Sequence, residues 1–285
     1  MNILVTGANG QLGNEIREIT RESRHNYLFT DVAELNITDK EAVRAFCKQH
    51  QIALIINCAA YTNVDKAEDE VEKADLINHK AVQYLAETAA ETGATLIHVS
   101  TDYVFDGTSS RPYSEDVPTS PQSVYGSTKL AGETRILQSG CRYLIFRTAW
   151  LYSAYGNNFV KTMRRLTGEK ETLNVVFDQV GTPTYAKDLA SLIVSIIDNG
   201  QTDRQGIYHY SNEGVCSWYD FAQEINKLSG KHCHILPCHS HEFPSKVKRP
   251  SYSVLDKTEV KRTFAVEIPY WRESLAKCIK ELEKQ

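Results

Sequence analysis

The sequence lacks any apolar run near the roughly 20 residues that a membrane span needs, any excess of positive charge, and any internal repeat or low-complexity tract. A formal charge of -4 leaves no basic field for nucleic acid or an anionic membrane, so an anionic ligand must be held by local donors. The first residues enter a strand pattern directly, with no basic n-region or cleavage site, which points to a cytoplasmic protein. No Gly/Ser/Pro linker divides the 285 residues, which can bury one large core or two smaller ones. The seven cysteines are odd in number and scattered, and a chain of this length folds without staples, so they read as reduced thiols. His232 to His241 gathers imidazoles and thiols but has no second ligand pair elsewhere. It reads as a short strand, Cys233 to Leu236, running into a polar loop, and no metal is assigned.

What is present is an alternation. Ile3–Thr6, Tyr27–Thr30, Leu54–Asn57, Leu96–Ser100 and Tyr143–Arg147 are short apolar runs suited to strands buried on both faces. Between them, residues 11–24, 39–50, 71–92 and 124–138 carry helical periodicity; Thr38 or Asp39 can cap the second of these and Gly93 can end the third. The pattern predicts an α/β protein built on a doubly wound parallel sheet with right-handed crossovers, a Rossmann-type arrangement, over residues 1–150. After residue 150 the rhythm loosens. Helices are expected at 157–167, 185–198, 217–229 and 271–284, and strands at 171–176 and 207–211. These imply a smaller C-terminal α/β lobe over residues 151–285 that binds substrate and is interleaved with the first domain, with the ligand in the cleft between them.

Three motifs carry chemistry. Gly7, Gly10 and Gly13 follow a strand and open a helix, where glycines serve the turn, the close approach of a phosphate and helix packing. Their spacing is that of the short-chain dehydrogenase superfamily. Asp31 ends the second strand, where a carboxylate either accepts from adenosine ribose hydroxyls and repels a 2'-phosphate or closes a turn. Arg17, Arg21 and Arg24 could offset such a phosphate, which leaves NADH and NADPH both open. The small residues of Asn57-Cys-Ala-Ala60-Tyr61-Thr62, after the third strand, let an adenine or ribose lie against the backbone.

Tyr125-Gly-Ser-Thr-Lys129 is the third motif. Fifteen tyrosines would yield about one such pair by chance, so its weight comes from Thr101 and the glycine loop upstream. The Thr101 hydroxyl can donate to a substrate oxygen while accepting from a phenol. Lowering a phenol from its usual value near 10 toward neutrality takes roughly 4 kcal/mol, which the Lys129 ammonium and a cationic nicotinamide could supply. Tyr125 would then donate a proton to a carbonyl under reduction, and Lys129 would hold the nicotinamide ribose.

With these residues in place the chain resembles the extended short-chain dehydrogenase/reductases, and within them the dTDP-4-dehydrorhamnose reductase family. The segments that carry the resemblance are Ala59–Glu68, Ser100–Gly107, Arg147–Tyr152, Asn158–Met163, Asp178–Tyr185 and Arg249–Leu255. The resemblance implies reduction of the 4-keto group of dTDP-4-dehydro-L-rhamnose by NADPH or NADH, the final step in making this sugar donor. It implies Thr101, Tyr125 and Lys129 as the catalytic set. Gly7, Asn9, Gly10, Gln11, Leu12, Gly13, Asp31, Ala59, Ala60 and Tyr61 would hold the cofactor together with Tyr125 and Lys129. Thr62, Val64, Thr101, Asp102, Tyr103 and Trp150 would line the nucleotide-sugar pocket, and Arg249 would face a diphosphate or, alternatively, form a surface salt bridge. Asn36 stands where many relatives have aspartate, which blunts the inference on cofactor preference. Only Glu15 matches the acidic residues through which some relatives hold magnesium at a dimer contact, so no metal is carried over, and a homodimer stays open. The competing readings are another nucleotide-sugar reductase, an epimerase, which unlike a reductase would keep its cofactor bound through a full cycle, and a non-catalytic regulatory subunit, which would lose members of the catalytic set.

Overall fold

The five apolar runs of the first half become parallel strands; four are buried on both faces, and the second, Tyr27–Thr30 at the sheet edge, is half-buried up to Phe29. Ile3, Leu4, Val5, Leu54, Ile55, Ile56, Leu96, Ile97 and Leu144 to Phe146 are each at most 1% exposed. Successive residues serve opposite layers: Ile3 and Val5 pack with one set of helices, Leu4 with the other. The computed structural model describes residues 1–243 and 245–284. Its first half runs β1 (Asn2–Thr6), α1 (Gln11–Ile19), β2 (Asn26–Thr30), α2 (Lys40–Gln49), β3 (Ile52–Asn57), α3 (Val64–Ala67), α4 (Val71–Asp75), a π-helical turn (Leu76–Lys80), α5 (Ala81–Thr92), β4 (Thr95–Thr101), α6 (Val124–Gln138) and β5 (Arg142–Thr148). The second half runs β6 (Leu151–Tyr152), α7 (Phe159–Glu169), β7 (Thr172–Val176), β8 (Val180–Gly181), β9 (Thr184–Tyr185), α8 (Ala186–Asp198), β10 (Gly206–His209), β11 (Cys216–Ser217), α9 (Trp218–Leu228), β12 (His234–Cys238), α10 (Thr258–Phe264) and α11 (Trp271–Leu282).

The main sheet has the order β10-β5-β4-β3-β1-β2, every pair parallel. The chain leaves β1 toward β2 and returns on the other side as β3, so the crevice at the carboxyl ends of β1 and β3 is the switch point where such sheets bind ligands. The run expected at 207–211 forms the sixth strand of this sheet, and α8 packs with α1 in the same layer, so residues beyond 150 complete it. A separate core of Tyr152, Val160, Tyr185, Phe221, Ile225, Trp271 and Leu275 joins α7, α9 and α11. There β7 pairs in parallel with β12, which takes up the strand expected from Cys233.

Two helices depart from their periodicity. The first stops at Ile19 because the Thr20 hydroxyl bonds back to the Ile16 carbonyl at 2.8 Å and the chain then turns. The run over 71–92 contains the π-helical turn, whose extra residue aims Asn78 into the interior, 0% exposed. The expected helix start holds at Asp39, whose carboxylate accepts from Ala42 N, and the expected stop at Gly93, with φ of +74°.

A buried ion pair fixes α6 on the sheet. Arg147 of β5 donates to both oxygens of Glu133 on α6, at 3.0 and 2.7 Å, and Ser100 of β4 donates to the same carboxylate. Glu133 and Arg147 are 1% and 3% exposed. Glu133→Ala strands a buried guanidinium and should cost about 3–5 kcal/mol in urea unfolding. A loss under about 1 kcal/mol would show that water reaches the pair.

Candidate active site

The turn between β1 and α1 forms a cradle that side chains would fill. Gly7 has φ of +63°, and a Cβ on it would lie 2.6 Å from the Cα and N of Ala59, just beyond β3. A Cβ at Gly13 would lie 2.5 Å from the Cα of Ala8, so that glycine lets α1 close on the loop. Gly10 is the exposed N-cap of α1, and no side chain satisfies the helix's first N–H groups there. Exposed backbone donors at a helix N-terminus beside the switch point fit a dinucleotide pyrophosphate. Leu12 turns its side chain into the core, so only its backbone faces the loop, while Gln11 is held by Asn158, whose amide donates to its Oε1 at 3.0 Å. Asp31 accepts from Val32 N at 2.8 Å as a turn residue and from Asn9 N at 3.0 Å, which brings its carboxylate against the glycine loop. Of the three arginines on this side, Arg21 pairs with Glu18 and Arg24 reaches the Asp198 carbonyl, while Arg17 lies over the Phe29 ring at 4.8 Å.

Thr101, Asp102, Tyr103 and Tyr125 meet where β4 ends. Thr101 caps the turn that follows, accepting from Tyr103 N at 3.2 Å and donating to Asp102 Oδ1 at 2.9 Å. The rings of Tyr103 and Tyr125 meet edge to face with centroids 5.5 Å apart. This contact depends on Gly126, where a Cβ would lie 2.2 Å from the Tyr103 carbonyl oxygen. Glu68 accepts from Val124 N at 2.9 Å and Ser123 from Gly126 N, so the first turn of α6 is capped twice. Asp102 is 3% exposed and its Oδ2 has no hydrogen-bond partner among the described residues. Burial pushes its carboxyl up to about 6, against the Thr101 hydrogen bond.

The expected pull of Lys129 on Tyr125 is not seen in the chain alone. Burial pushes the Tyr125 phenol up to about 12, with the Thr101 hydroxyl in bonding reach opposing the shift and the Asp102 charge adding to it. The Lys129 amine, though one turn along the helix, points back to β4. It donates to the Val99 carbonyl at 2.6 Å and lies 3.4 Å from His98 Nε2.

Trp150 and Arg249 belong to a third group, around a cleft of about 1210 Å³ bounded by α7, β7 and the segment up to Ser251, with Trp150 stacked on one of its lining residues. Arg249 and Trp218 line this cleft. Trp150 has φ of +48°, a left-handed conformation held by stacking on Trp218 at 3.6 Å and by contact with Gly181, where a Cβ would lie 2.8 Å from the indole. Arg249 donates to Asp65 of α3 at 2.8 Å. The Tyr103 phenol, pushed far up by burial, feels Asp102 and Arg249 together, which links the cleft to the end of β4. Val64 opens α3 and is half-buried, Thr62 is exposed just before it, and the Tyr61 hydroxyl is turned to Glu70 at 3.1 Å.

Several positioning residues escaped the sequence. Asn78 bonds both the N–H and the carbonyl of Tyr61, at 2.8 and 3.0 Å, and donates to Thr128 of α6 at 3.3 Å. Its signal was an asparagine in an otherwise apolar helix face. Asn57, His98, Glu133 and Arg147 likewise have partners distant in sequence. Glu15 is buried and accepts from Ser153 at 2.6 Å. Among the described residues no group of three or more His, Cys, Asp or Glu is placed to hold a metal, and no helix is long and apolar enough to cross a membrane.

Residues 1–284 match the RmlD substrate binding domain family. The chain is 41% identical over 283 residues to the dTDP-4-dehydrorhamnose reductase of Aggregatibacter actinomycetemcomitans, covering 96% of each chain. It superposes with a TM-score of 0.96 on a crystal structure of a dTDP-4-dehydrorhamnose reductase from Clostridium acetobutylicum, 44% identical, covering 99% of this chain and 100% of that one. The TM-score is 0.94 with the dTDP-4-dehydrorhamnose reductase of Bacillus anthracis in complex with NADP, 38% identical, over 98% of this chain and 99% of that one.

The buried Asp102 carboxyl makes a signed prediction. Its folded value, raised from 3.8 to about 6, means that its contribution to stability is fully present below pH 4 and is lost as pH rises through 6. Asp102→Asn keeps an acceptor for Thr101 without the charge. It should therefore be more stable than the unmodified protein above pH 6, by up to about 3 kcal/mol, and equal to it near pH 3.5. Melting curves across this range check it, and a constant difference at every pH would place the carboxylate in water.

Proposed function

We infer the reaction from one premise: the chain belongs to the RmlD substrate binding domain family, that of the dTDP-4-dehydrorhamnose reductases. It is an NAD(P)H-dependent oxidoreductase, and it reduces the 4-keto group of dTDP-4-dehydro-L-rhamnose to the hydroxyl of dTDP-L-rhamnose. The observation that carries this reading is the meeting of Thr101 and Tyr125 at the carboxyl edge of β4, on the same edge of the sheet as the glycine cradle.

The reduced nicotinamide, when bound, supplies the hydride that reaches the carbonyl carbon. The chain's residues manage the oxygen. Tyr125, whose phenol stays protonated in its buried setting, donates the proton that the developing alkoxide takes up. Thr101, in bonding reach of that phenol, can donate to the same oxygen once its proton turns away from Asp102 Oδ1. The orphaned Asp102 Oδ2 is a buried acceptor available to a sugar hydroxyl, a role that offsets the cost of burying it. Arg249, oriented by Asp65, offers a forked cation to the diphosphate, and the Trp218 ring, backed by Trp150, gives the cleft an apolar wall. Gly7, Gly10 and Gly13 with the first N–H groups of α1 receive the cofactor pyrophosphate. The resemblance supports a cytoplasmic enzyme and leaves a homodimer as the assembly to test by analytical ultracentrifugation.

Turnover followed by nicotinamide absorbance, with dTDP-4-dehydrorhamnose and either NADH or NADPH, tests the reading directly. Failure with both cofactors would sink it. Tyr125→Phe keeps the ring and removes the donor, so kcat should fall roughly 100-fold or more while cofactor binding, measured by calorimetry, persists. Asp31→Ala removes a negative charge beside the loop and should shift the ratio of kcat/KM values toward NADPH. An unchanged ratio would make Asp31 purely a brace for Asn9.

A further inference from the structure

Behind Lys129 lies a chain of buried polar groups that the reaction scheme does not use. The Ala59 N–H donates to Asn57 Oδ1 at 3.2 Å, and the Thr6 hydroxyl donates to the same oxygen at 2.7 Å. A backbone N–H can only donate, so the Asn57 amide cannot be flipped without setting two donors against each other. Its Nδ2 therefore donates to His98 Nδ1, 3.0 Å away. His98 is 0% exposed, and burial together with the neighbouring Lys129 holds its imidazole well below the usual histidine range, so the ring is neutral. With Nδ1 accepting, the one ring proton sits on Nε2, the nitrogen 3.4 Å from the Lys129 amine.

We propose that Asn57 and His98 are positioning residues that set the protonation of Lys129: the locked tautomer presents an N–H to the amine, which disfavours the ammonium and favours the form with a free lone pair. Besides the Val99 carbonyl, which accepts from it at 2.6 Å, the groups acting on the amine are the Glu133 carboxylate from its own helix, engaged by Arg147 and Ser100, and the Cys58 thiol beyond β3. Both favour the charged form. Burial outweighs them and brings Lys129 down to about 8, the direction the His98 N–H reinforces. The consequence rests on the reductase reading given above. A reductase needs its phenol protonated at the start, and an amine that carries less charge pulls less on the Tyr125 proton.

The test uses the full-length protein without substrate, so it can fail while ketone turnover succeeds, and the reverse. In protein with 15N-labelled histidine, the ring nitrogens of His98, identified by their loss in His98→Gln, should report the Nε2–H tautomer from pH 6 to 9. In protein with 13C-labelled lysine, the Cε signal that disappears in Lys129→Met should titrate well below the ordinary lysine value of roughly 10.4. Asn57→Asp can accept from His98 Nδ1, so the ring proton should move to Nδ1 and the Lys129 midpoint should rise by about one pH unit or more. An Nδ1–H ring or an imidazolium in the unmodified protein, or a Lys129 midpoint at the ordinary lysine value, overturns the proposal. Neither of those two measurements depends on whether Asn57→Asp folds. In a folded Asn57→Asp protein, an unmoved midpoint overturns it as well.

Discussion

Everything at the end of β4 depends on where α6 lies, and α6 is held there by one buried ion pair. Glu133 is a turn beyond Lys129 and two turns beyond Tyr125, and its carboxylate is gripped by Arg147 of β5 and Ser100 of β4. A pair this deep is weak evidence of net stability, because desolvating two charges consumes most of their attraction. What it provides is register. A shift of α6 along the sheet would unpair both charges in a medium that cannot solvate them, so the helix has one low-energy position. Gly126 and Gly132 make that position sterically open, the first against the Tyr103 carbonyl and the second against that of Asn78.

The parts of this arrangement that were legible in the sequence are those governed by local chemistry. Buried parallel strands must be continuous apolar runs, and Ile3–Thr6 and Leu54–Asn57 are such runs. A glycine loop after a strand has few uses, and the 2.6 Å approach of a Gly7 Cβ to Ala59 is the steric reason for it. Tyr125 and Lys129 share a helix, so their spacing was meaningful by itself. Their mutual orientation was not: the amine turns to Val99 and His98, a choice made by strand residues about 30 positions upstream. The same distance hid Arg147, whose place at the end of an apolar run reads as the edge of a strand and whose carboxylate partner lies on another element. Asn78 was hidden differently, since periodicity alone cannot show a π-helical turn.

The site also carries costs that a protein selected only for stability would avoid. Asp102 is buried with an unpartnered oxygen, Tyr125 is desolvated, and Trp150 holds a left-handed backbone conformation. The elements around these residues over-determine their positions: the capped first turn of α6, the Thr101 turn, and the stack of Trp150 on Trp218. Side chains held in costly states at the end of β4 are what a ligand-binding surface shows when its partners are supplied from outside.

The charge pattern of the cleft follows the same logic. An acidic chain that must hold a dianionic diphosphate cannot rely on a general positive field, so it needs a cation placed in advance. Arg249 is placed by Asp65, and Lys246 by Asp69, from opposite sides of the same crossing between α3 and the 245–249 segment. These pairs are half-exposed and worth little to folding. Their value lies in orientation, because a guanidinium already fixed by one carboxylate loses less freedom when a phosphate approaches its remaining donors. The phenol of Tyr103 sits within the field of both Arg249 and Asp102. Arg249 at the cleft and the Asp102 carboxyl at the end of β4 therefore act on one phenol. In the proposed function, an anion bound at Arg249 would offset that cation's pull on the Tyr103 phenol, beside which Tyr125 lies edge to face.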